Sequence, residues 1–192
     1  VAAAKPIDDL RERLKVLHAA KDKAGDFLRR SSYSVFRYAS NRIPEIADEL
    51  YKIDDGMRAG FGWELGPFEM WDVLGVERSL KNMTEMGLEP AVWVKEMLEA
   101  GFKTFYKVEN GLKKYYDIPT KSYKEIPGTA EFIILDNYRS NAPVWKNSGA
   151  TLHDIGDGVL NLEFQTKMNS IGSEILEAIN KSIEIAEKDF RG

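Results

Sequence analysis

The chain has 192 residues, of which 43% are hydrophobic and 30% are charged, and its formal net charge is −4. This length and balance predict a globular protein with one large domain or two small ones. The acidic excess argues against a nucleic-acid partner, because phosphate recognition depends on clustered Lys and Arg. No apolar run reaches the roughly 20 residues that cross a bilayer, and the N-terminus lacks the layout of a signal peptide. Because the sequence has no cysteine, disulfides and Cys-ligated metals are excluded, and we expect a cytoplasmic location.

Short helices separated by glycine and proline are predicted for the first hundred residues. The apolar positions recur at helical spacing, and proline disfavours helix for the residue before it. The predicted helices run from Ile7, from about Asp26 to Asn41, from Pro44 to Leu50, from Asp54 to Ala59, from Pro67 to Gly75, from Val76 to about Met86, and from Pro90 to Gly101. Many short helices predict an irregular helical domain.

The segment Gly60–Gly75, GFGWELGPFEMWDVLG, is rich in glycine and in aromatic residues. Gly66 and Pro67 form a helix start, since proline at the first helical position gives up an N–H group that has no intrahelical partner. Glu69 lies close enough to the exposed N–H groups to stabilise them. The remaining side chains leave little polar surface. We therefore predict packing or subunit contact for Trp63, Gly66, Pro67, Phe68 and Trp71.

The pattern changes from helical to alternating after Gly101. A strand is predicted from Phe102 to Val108, and a tight turn at Asn110-Gly111 returns the chain through a strand from Leu112 to Tyr116. Residues 117–127 are polar and turn-rich, and we place a domain boundary at their end. Beyond it the predicted elements are strands over Phe132–Leu135, Ala150–Ile155 and Val159–Gln165, and a helix that Ser170 caps and in which isoleucine recurs every fourth residue.

The sequence contains few side chains suited to catalysis or metal binding. Its two histidines, His18 and His153, are far apart, and no neighbouring carboxylate or hydroxyl identifies either as a base. The acidic pairs Asp8-Asp9 and Asp54-Asp55 are interpreted as helix-start residues rather than metal ligands. We therefore predict no catalytic residue and no metal site.

Part of the helical region resembles the C-terminal helical domain of 3-hydroxyacyl-CoA dehydrogenases, in which D-x-A-M-x-x-G precedes G-P-F-E. Here the corresponding residues are Asp55-Gly56-Met57-Arg58, Gly60 and Gly66-Pro67-Phe68-Glu69, within a match over roughly residues 21–76. The resemblance implies the second of two helical repeats. Arg29 stands where the catalytic repeat of the family carries asparagine. The family's His/Glu pair and dinucleotide-binding loop belong to a Rossmann domain, so the resemblance implies that NAD is bound outside this chain.

The end of the chain resembles the opening of an enoyl-CoA hydratase (crotonase) domain. The resemblance lies in the strand GVLNLEF, the loop that contains Lys167-Met168-Asn169, and a helix that ends at Ala186-Glu187-Lys188-Asp189. In that family the loop contributes to binding the nucleotide end of coenzyme A. The resemblance therefore implies CoA-binding roles for Lys167 and Met168 when the rest of that domain is present, while the hydratase's catalytic glutamates lie later than Gly192.

These observations predict a mainly α fold: an irregular helical bundle of the dehydrogenase C-terminal type with a closing hairpin over residues 1–127, then a small α+β segment over 128–192 that begins a crotonase domain. The start at Val1 and the stop after a helix lead us to expect an excised piece. Its function would be the central scaffold of a bifunctional enzyme of fatty-acid β-oxidation, packed against the remaining domains of the same polypeptide or a second copy, with acyl-CoA as the substrate. A stand-alone helical interaction protein is the alternative. A weak hydrolase or lyase activity would lack a paired acid/base set.

Overall fold

The computed structural model describes residues 2–192 and divides into two compact units. The first unit contains the residues up to Lys107 and residues 114–126, and the second contains residues 108–113 and 127–192. The helices are α1 (Leu10–Ala19), α2 (Lys23–Asn41), α3 (Leu50–Phe61), α4 (Pro67–Leu74), α5 (Val76–Glu85), α6 (Val92–Glu99) and α7 (Ser173–Asp189). Within residues 2–192, none of these helices combines the length and the apolar character that a membrane crossing requires.

Side-chain caps mark the starts of α1 and α2. Asp9 caps α1 by accepting a hydrogen bond from the backbone N–H of Glu12, and Asp22 caps α2 in the same way. The predicted helix from Pro44 to Leu50 is wrong, because residues 42–46 form turns, residues 48 and 49 form a bend, and the next helix begins only at Leu50. A helix as short as this is stable only when tertiary packing offsets the free energy of nucleation. Ile46 is largely exposed, so this segment lacks such packing.

Aromatic side chains fill the core of the first unit. The rings of Phe36 and Trp71 are stacked, with centroids 4.9 Å apart and planes within 6° of parallel. Phe105 packs against Trp71 and Phe68 with centroid distances of 5.1 Å to each. All four side chains are fully buried, and burial of each contributes about 1.5–3 kcal/mol of hydrophobic free energy. This core connects α2, α4 and the chain that follows α6.

The first sheet has the strand order β1 (Tyr106–Glu109), β2 (Leu112–Asp117) and β3 (Ser122–Glu125). Its first turn has Asn110 at φ 53° and Gly111 at φ 72°, the backbone angles that a two-residue hairpin turn requires. β3 was not predicted. Its register places Tyr116 opposite Tyr123, so the polar stretch is held in the sheet by aromatic cross-strand packing.

The second sheet, with the order β4 (Trp145–Lys146), β5 (Ala150–Asp154) and β6 (Leu160–Phe164), packs against α7. The predicted strand at residues 132–135 is wrong: the segment pairs with no strand, and Phe132 and Ile133 are each 59% exposed. The prediction that Ser170 caps the last helix is also wrong. Met168 and Asn169 have positive φ and Ser170 is extended, so the helix begins only after Gly172.

Candidate contact site on the helical unit

Asp54 caps a helix other than its own. It lies in the interior of α3, so the interpretation as a helix-start residue is wrong. Its carboxylate accepts hydrogen bonds from the backbone N–H of Phe68 at 2.9 Å and of Glu69 at 3.1 Å, and from the hydroxyl of Tyr106 at 2.7 Å. The first two donors belong to the N-terminal turn of α4, where N–H groups lack intrahelical partners. Asp54 therefore joins α3, α4 and β1.

The surroundings of this carboxylate are closed to water. Burial raises the pKa of Asp54 to about 7, even though its three hydrogen-bond donors act in the opposite direction. Gly66 leaves the necessary space, because a Cβ atom there would lie 2.3 Å from the Cβ of Asp54. Glu69 completes the end of α4 by accepting from the backbone N–H of Gly66 at 2.9 Å and pairing with Arg58.

The five residues predicted for packing or subunit contact do not share one surface. Phe68 and Trp71 are fully buried within the first unit, and Gly66 and Pro67 are also buried. Phe68 and Trp71 therefore leave no side-chain surface for another chain. Trp63 is partly exposed, and it lines an apolar groove together with Pro67.

An apolar groove lies between α2 and α3, and Trp63 is on its border. Its volume is about 740 Å³. The lining side chains are mainly aliphatic or aromatic, and several point outward: Phe61 is 74% exposed and Ile46 is 66% exposed. We call this the α2–α3 groove and define it by residues 34, 35, 38, 39, 42, 46, 47, 52, 53, 56, 57, 61, 63 and 67. Contiguous exposed apolar surface of this kind is typical of a binding site.

The two cations in the α2–α3 groove are already paired with acidic neighbours. Arg42 lies 2.6 Å from Glu45, and its guanidinium also lies over the ring of Tyr38 at 5.3 Å from the centroid. Lys52 lies 2.7 Å from Glu49. Because these pairs offset the positive charge, the groove is better suited to an apolar protein surface than to an anionic cofactor.

Lys167 and Met168, the predicted CoA-binding residues, lie in a short 3-10 turn before α7. Both are exposed, and 92% of Met168 is accessible. Met168 has φ 57°, which lies in the left-handed region of backbone conformation. The two side chains are free to contact a ligand.

Both histidines have polar neighbours that sequence reasoning missed. His18 Nε2 lies 3.0 Å from the Ser32 hydroxyl, and burial, aided by the charge of Arg29, lowers the pKa of His18 to about 4. Arg29, which replaces the expected asparagine, donates to the carbonyl of His18 at 2.7 Å. His153 Nε2 lies 3.1 Å from Glu163 Oε2 on the adjacent strand. The observed register pairs Thr151 with Glu163 and His153 with Asn161, so His153 and Glu163 are diagonal neighbours on one sheet face.

Arg139 holds the Glu163 carboxylate from its other side. The Arg139 Nε donates to Glu163 Oε1 at 3.0 Å, and this hydrogen bond is the main reason that the pKa of Glu163 is lowered. The His153 contact acts in the same direction. Within residues 2–192, no group of three His, Cys, Asp or Glu side chains is arranged to hold a metal ion.

Comparisons with known proteins connect the helical unit to an enzyme family. Residues 27–115 match the family model of the 3-hydroxyacyl-CoA dehydrogenase C-terminal domain. The chain is 39% identical over 191 residues to a probable 3-hydroxyacyl-CoA dehydrogenase of Bacillus subtilis, with 99% of this chain and 24% of the relative covered. It is 23% identical over 155 residues to a putative fatty acid oxidation complex trifunctional enzyme of Rickettsia felis, with 79% and 18% covered.

The chain thus spans about a quarter of the length of the Bacillus relative and less of the other. No solved structure matches it. The family match includes most of α2, all of α3 and α4 together with Asp54, and every residue that lines the α2–α3 groove.

Proposed function

We propose, from the similarity of residues 27–115 to the 3-hydroxyacyl-CoA dehydrogenase C-terminal domain, that the chain is the helical scaffold of a longer NAD-dependent 3-hydroxyacyl-CoA dehydrogenase. The longer enzyme would oxidise an acyl-CoA substrate of fatty-acid β-oxidation. These residues do not suit NAD itself: the sequence has no G-x-G-x-x-G loop, and both sheets are small, with antiparallel strand pairs. NAD would therefore be held by a Rossmann domain elsewhere in the polypeptide.

The exposed α2–α3 groove is the observation that carries the scaffold role within this proposal. Its apolar lining and paired rim charges favour a protein surface, and the scaffold would use it to pack against the catalytic helical repeat or against a second chain. The contact surface proposed here contains Trp63 but not Phe68 or Trp71, since both are enclosed by the unit's own core. A brace of this kind would hold the cleft in which the acyl-CoA meets the nicotinamide.

Two exposed phenylalanines allow a matched test in the longer enzyme. Phe61 lines the groove and is 74% exposed, whereas Phe27 is 69% exposed on α2 and lies outside the groove. We expect Phe61→Ser to lower both the melting temperature and the rate of 3-hydroxyacyl-CoA-dependent NADH formation, because a buried interface phenylalanine is worth about 1–3 kcal/mol. Phe27→Ser should change neither. Equal effects of the two substitutions would contradict the groove contact.

Sedimentation velocity of the same two variants tells the two partners apart. A dimer that dissociates with Phe61→Ser but not with Phe27→Ser would identify a second chain. An unchanged subunit number together with lower activity would identify the catalytic repeat of the same polypeptide. If the longer product had no dehydrogenase activity but kept the contact, the alternative of a helical interaction protein would be favoured.

We propose further that residues 150–192 begin an enoyl-CoA hydratase domain of the same longer protein. The similarity to a protein named as a trifunctional enzyme supports it, as does the exposed turn that carries Lys167 and Met168. In the longer protein, Lys167→Ala should weaken the binding of coenzyme A in a calorimetric titration. The control is Lys188→Ala at the exposed end of α7. Unchanged affinity after Lys167→Ala would remove the CoA-binding role.

A further inference from the structure

A polar cavity of about 450 Å³ lies at the end of β5. We call it the β5-end cavity and define it by residues 110, 111, 138, 141, 142 and 153–156, all of which belong to the second unit. It shares no residue with the α2–α3 groove. Small-molecule sites in proteins have volumes of about 300–1,000 Å³, so this cavity is large enough for a small ligand.

One wall of the β5-end cavity is fixed to the turn of the first hairpin. Asn137 Nδ2 donates to the Gly111 carbonyl at 2.9 Å. The Tyr138 side chain lies so close to Gly111 that a Cβ atom there would be 2.2 Å from the tyrosine hydroxyl oxygen. Gly111 also has φ 72°, so glycine suits both the turn and this contact. A wall that is already ordered lowers the entropic cost of binding a ligand.

The imidazole of His153 presents a hydrogen-bond acceptor at this cavity. His153 is only 5% exposed, and its Nε2 lies 3.1 Å from Glu163 Oε2. The hydrogen bond from Arg139 is the main reason that the pKa of Glu163 is lowered, so Glu163 is a carboxylate and Nε2 is the donor. In the neutral ring, Nδ1 then carries the lone pair. Nδ1 has no hydrogen-bond partner within residues 2–192 and, unlike Nδ1 of His18, is not sealed from solvent.

The charge at the cavity is negative. Asp154 lines it, accepts from the backbone N–H of Gly156 at 2.9 Å, and forms no ion pair within residues 2–192. Among the described residues, those that line the cavity include no lysine or arginine. Arg139, which contacts Glu163, is also paired with Asp136. The second unit carries the whole of the chain's formal net charge of −4, which attracts cations from solution.

These groups favour one class of ligand. A phosphate or carboxylate would meet the charge of Asp154 without a cation to offset it, and a neutral polyol would leave that charge uncompensated. A metal ion is disfavoured because, within residues 2–192, no three suitable side chains are grouped to hold one. An ammonium group carries a positive charge, three donors and no acceptor. It matches the acceptors that Asp154, His153 Nδ1 and the side-chain amides of Asn110 and Asn141 provide.

We propose that the β5-end cavity binds a small primary amine in its protonated form. The ammonium group would donate to the Asp154 carboxylate and to Nδ1 of His153, and the alkyl chain would lie against Ala142 and Ile155. The proposal does not depend on the dehydrogenase scaffold, because every residue that lines the cavity belongs to the second unit.

Nitrogen NMR of the two histidine side chains tests this site, with n-butylamine as the probe. Near pH 8 an alkylamine is protonated, whereas an ordinary imidazole is neutral. Before the amine is added, the spectrum should show His153 with its hydrogen on Nε2. We expect butylamine to shift the Nδ1 resonance of His153 in a saturable way and to leave His18, which lies in the first unit, unchanged. Butyrate and n-butanol should give no saturable shift.

Two neighbouring aspartates of the same turn provide matched variants. Asp154→Asn keeps the size of the side chain and removes its charge, and it should weaken butylamine binding at least about tenfold, because hydrogen bonds to charged groups are the stronger ones. Asp157→Asn is the control: it is exposed, lies outside the cavity, and has φ 53°, which asparagine also adopts. Its affinity should equal that of the unmodified chain.

Equal shifts at both histidines would overturn the proposal, as would equal responses to butylamine, butyrate and n-butanol. An equal loss of affinity in the two variants, or a hydrogen on Nδ1 of His153 in the ligand-free chain, would also overturn it. The same titration in the longer polypeptide should reproduce the binding. Loss of binding there would show that the added residues fill the cavity and would reject a free amine as the ligand.

Discussion

Replacing the buried carboxylate of Asp54 with an amide should change how the stability of the helical unit depends on pH. Burial raises the pKa of Asp54 from 3.8 to about 7 in the folded chain. Between pH 3.8 and pH 7 the folded state binds more protons than the unfolded state, so the free energy of unfolding falls as the pH rises. The contribution of Asp54 to stability is therefore complete below pH 3.8 and is lost as the pH rises through about 7. At about 1.36 kcal/mol per pKa unit, this loss amounts to about 4 kcal/mol.

The variant Asp54→Asn cannot titrate, so its free energy of unfolding should not contain this decline. We expect it to be less stable than the unmodified chain near pH 4, because the amide nitrogen cannot accept from the N–H groups of Phe68 and Glu69. The difference should then shrink by about 4 kcal/mol as the pH approaches 7. Asp55→Asn is the matched control: it is the next residue of α3, its side chain is 54% exposed, and its substitution should leave the slope unchanged.

Urea unfolding followed by tryptophan fluorescence measures this effect. Trp63, Trp71 and Trp93 lie in the first unit and Trp145 lies in the second, so the signal reports mainly on the unit that contains Asp54. Parallel pH profiles for Asp54→Asn and the unmodified chain would refute the reasoning. They would show that the hydrogen bonds to the carboxylate, rather than its burial, determine its protonation.

Three further substitutions have expected outcomes. Gly66→Ala should lower the free energy of unfolding by about 1–3 kcal/mol, because the new methyl group overlaps a buried carboxylate. The control is Gly60→Ala, which has no atom within 4 Å of the added group and should be neutral or slightly stabilising in the same urea titration. Trp71→Ala should cost about 3–5 kcal/mol in that titration by emptying the centre of the core. Arg139→Ala should raise the pKa of Glu163, which NMR titration of the carboxyl carbon measures. In the unmodified chain the folded-state pKa of Glu163 is depressed, so the pair stabilises the fold above the ordinary carboxyl pKa and this stabilisation is lost at acidic pH. The substitution should make this pH-dependent stabilisation smaller.

The sequence was most informative where a structural signal is local. The start of α4 follows from Gly66 and Pro67 because both act through their own backbone, and the turn at Asn110 follows from the angles that its type requires. The role of Asp54 was not predictable in this way. Its partner amides lie 14 and 15 residues away along the chain, and only the packing of α3 against α4 brings them together.

The location of the contact surface was likewise not predictable from the sequence, because it depends on residues that are distant along the chain. An aromatic-rich segment indicates burial, but whether Trp71 faces the unit's own core or another chain depends on the position of Phe36, more than thirty residues earlier. The pair formed by His153 and Glu163 lay between these cases. Both residues lie in predicted strands, but their contact depends on the pairing register, which only the structure supplies.

Each end of α4 is held by a carboxylate, Asp54 at its start and Asp72 at its end. These contacts determine where the polypeptide can be truncated for recombinant expression. Asp72, in its last turn, accepts from the backbone N–H of Phe105 at 2.8 Å and of Tyr106 at 2.9 Å. A recombinant fragment truncated at Gly101 would keep all six helices of the first unit but would lose these two residues, one side of the aromatic core and the hydroxyl that binds Asp54. We therefore expect the six helices to fold on their own only when the strand that follows them is included.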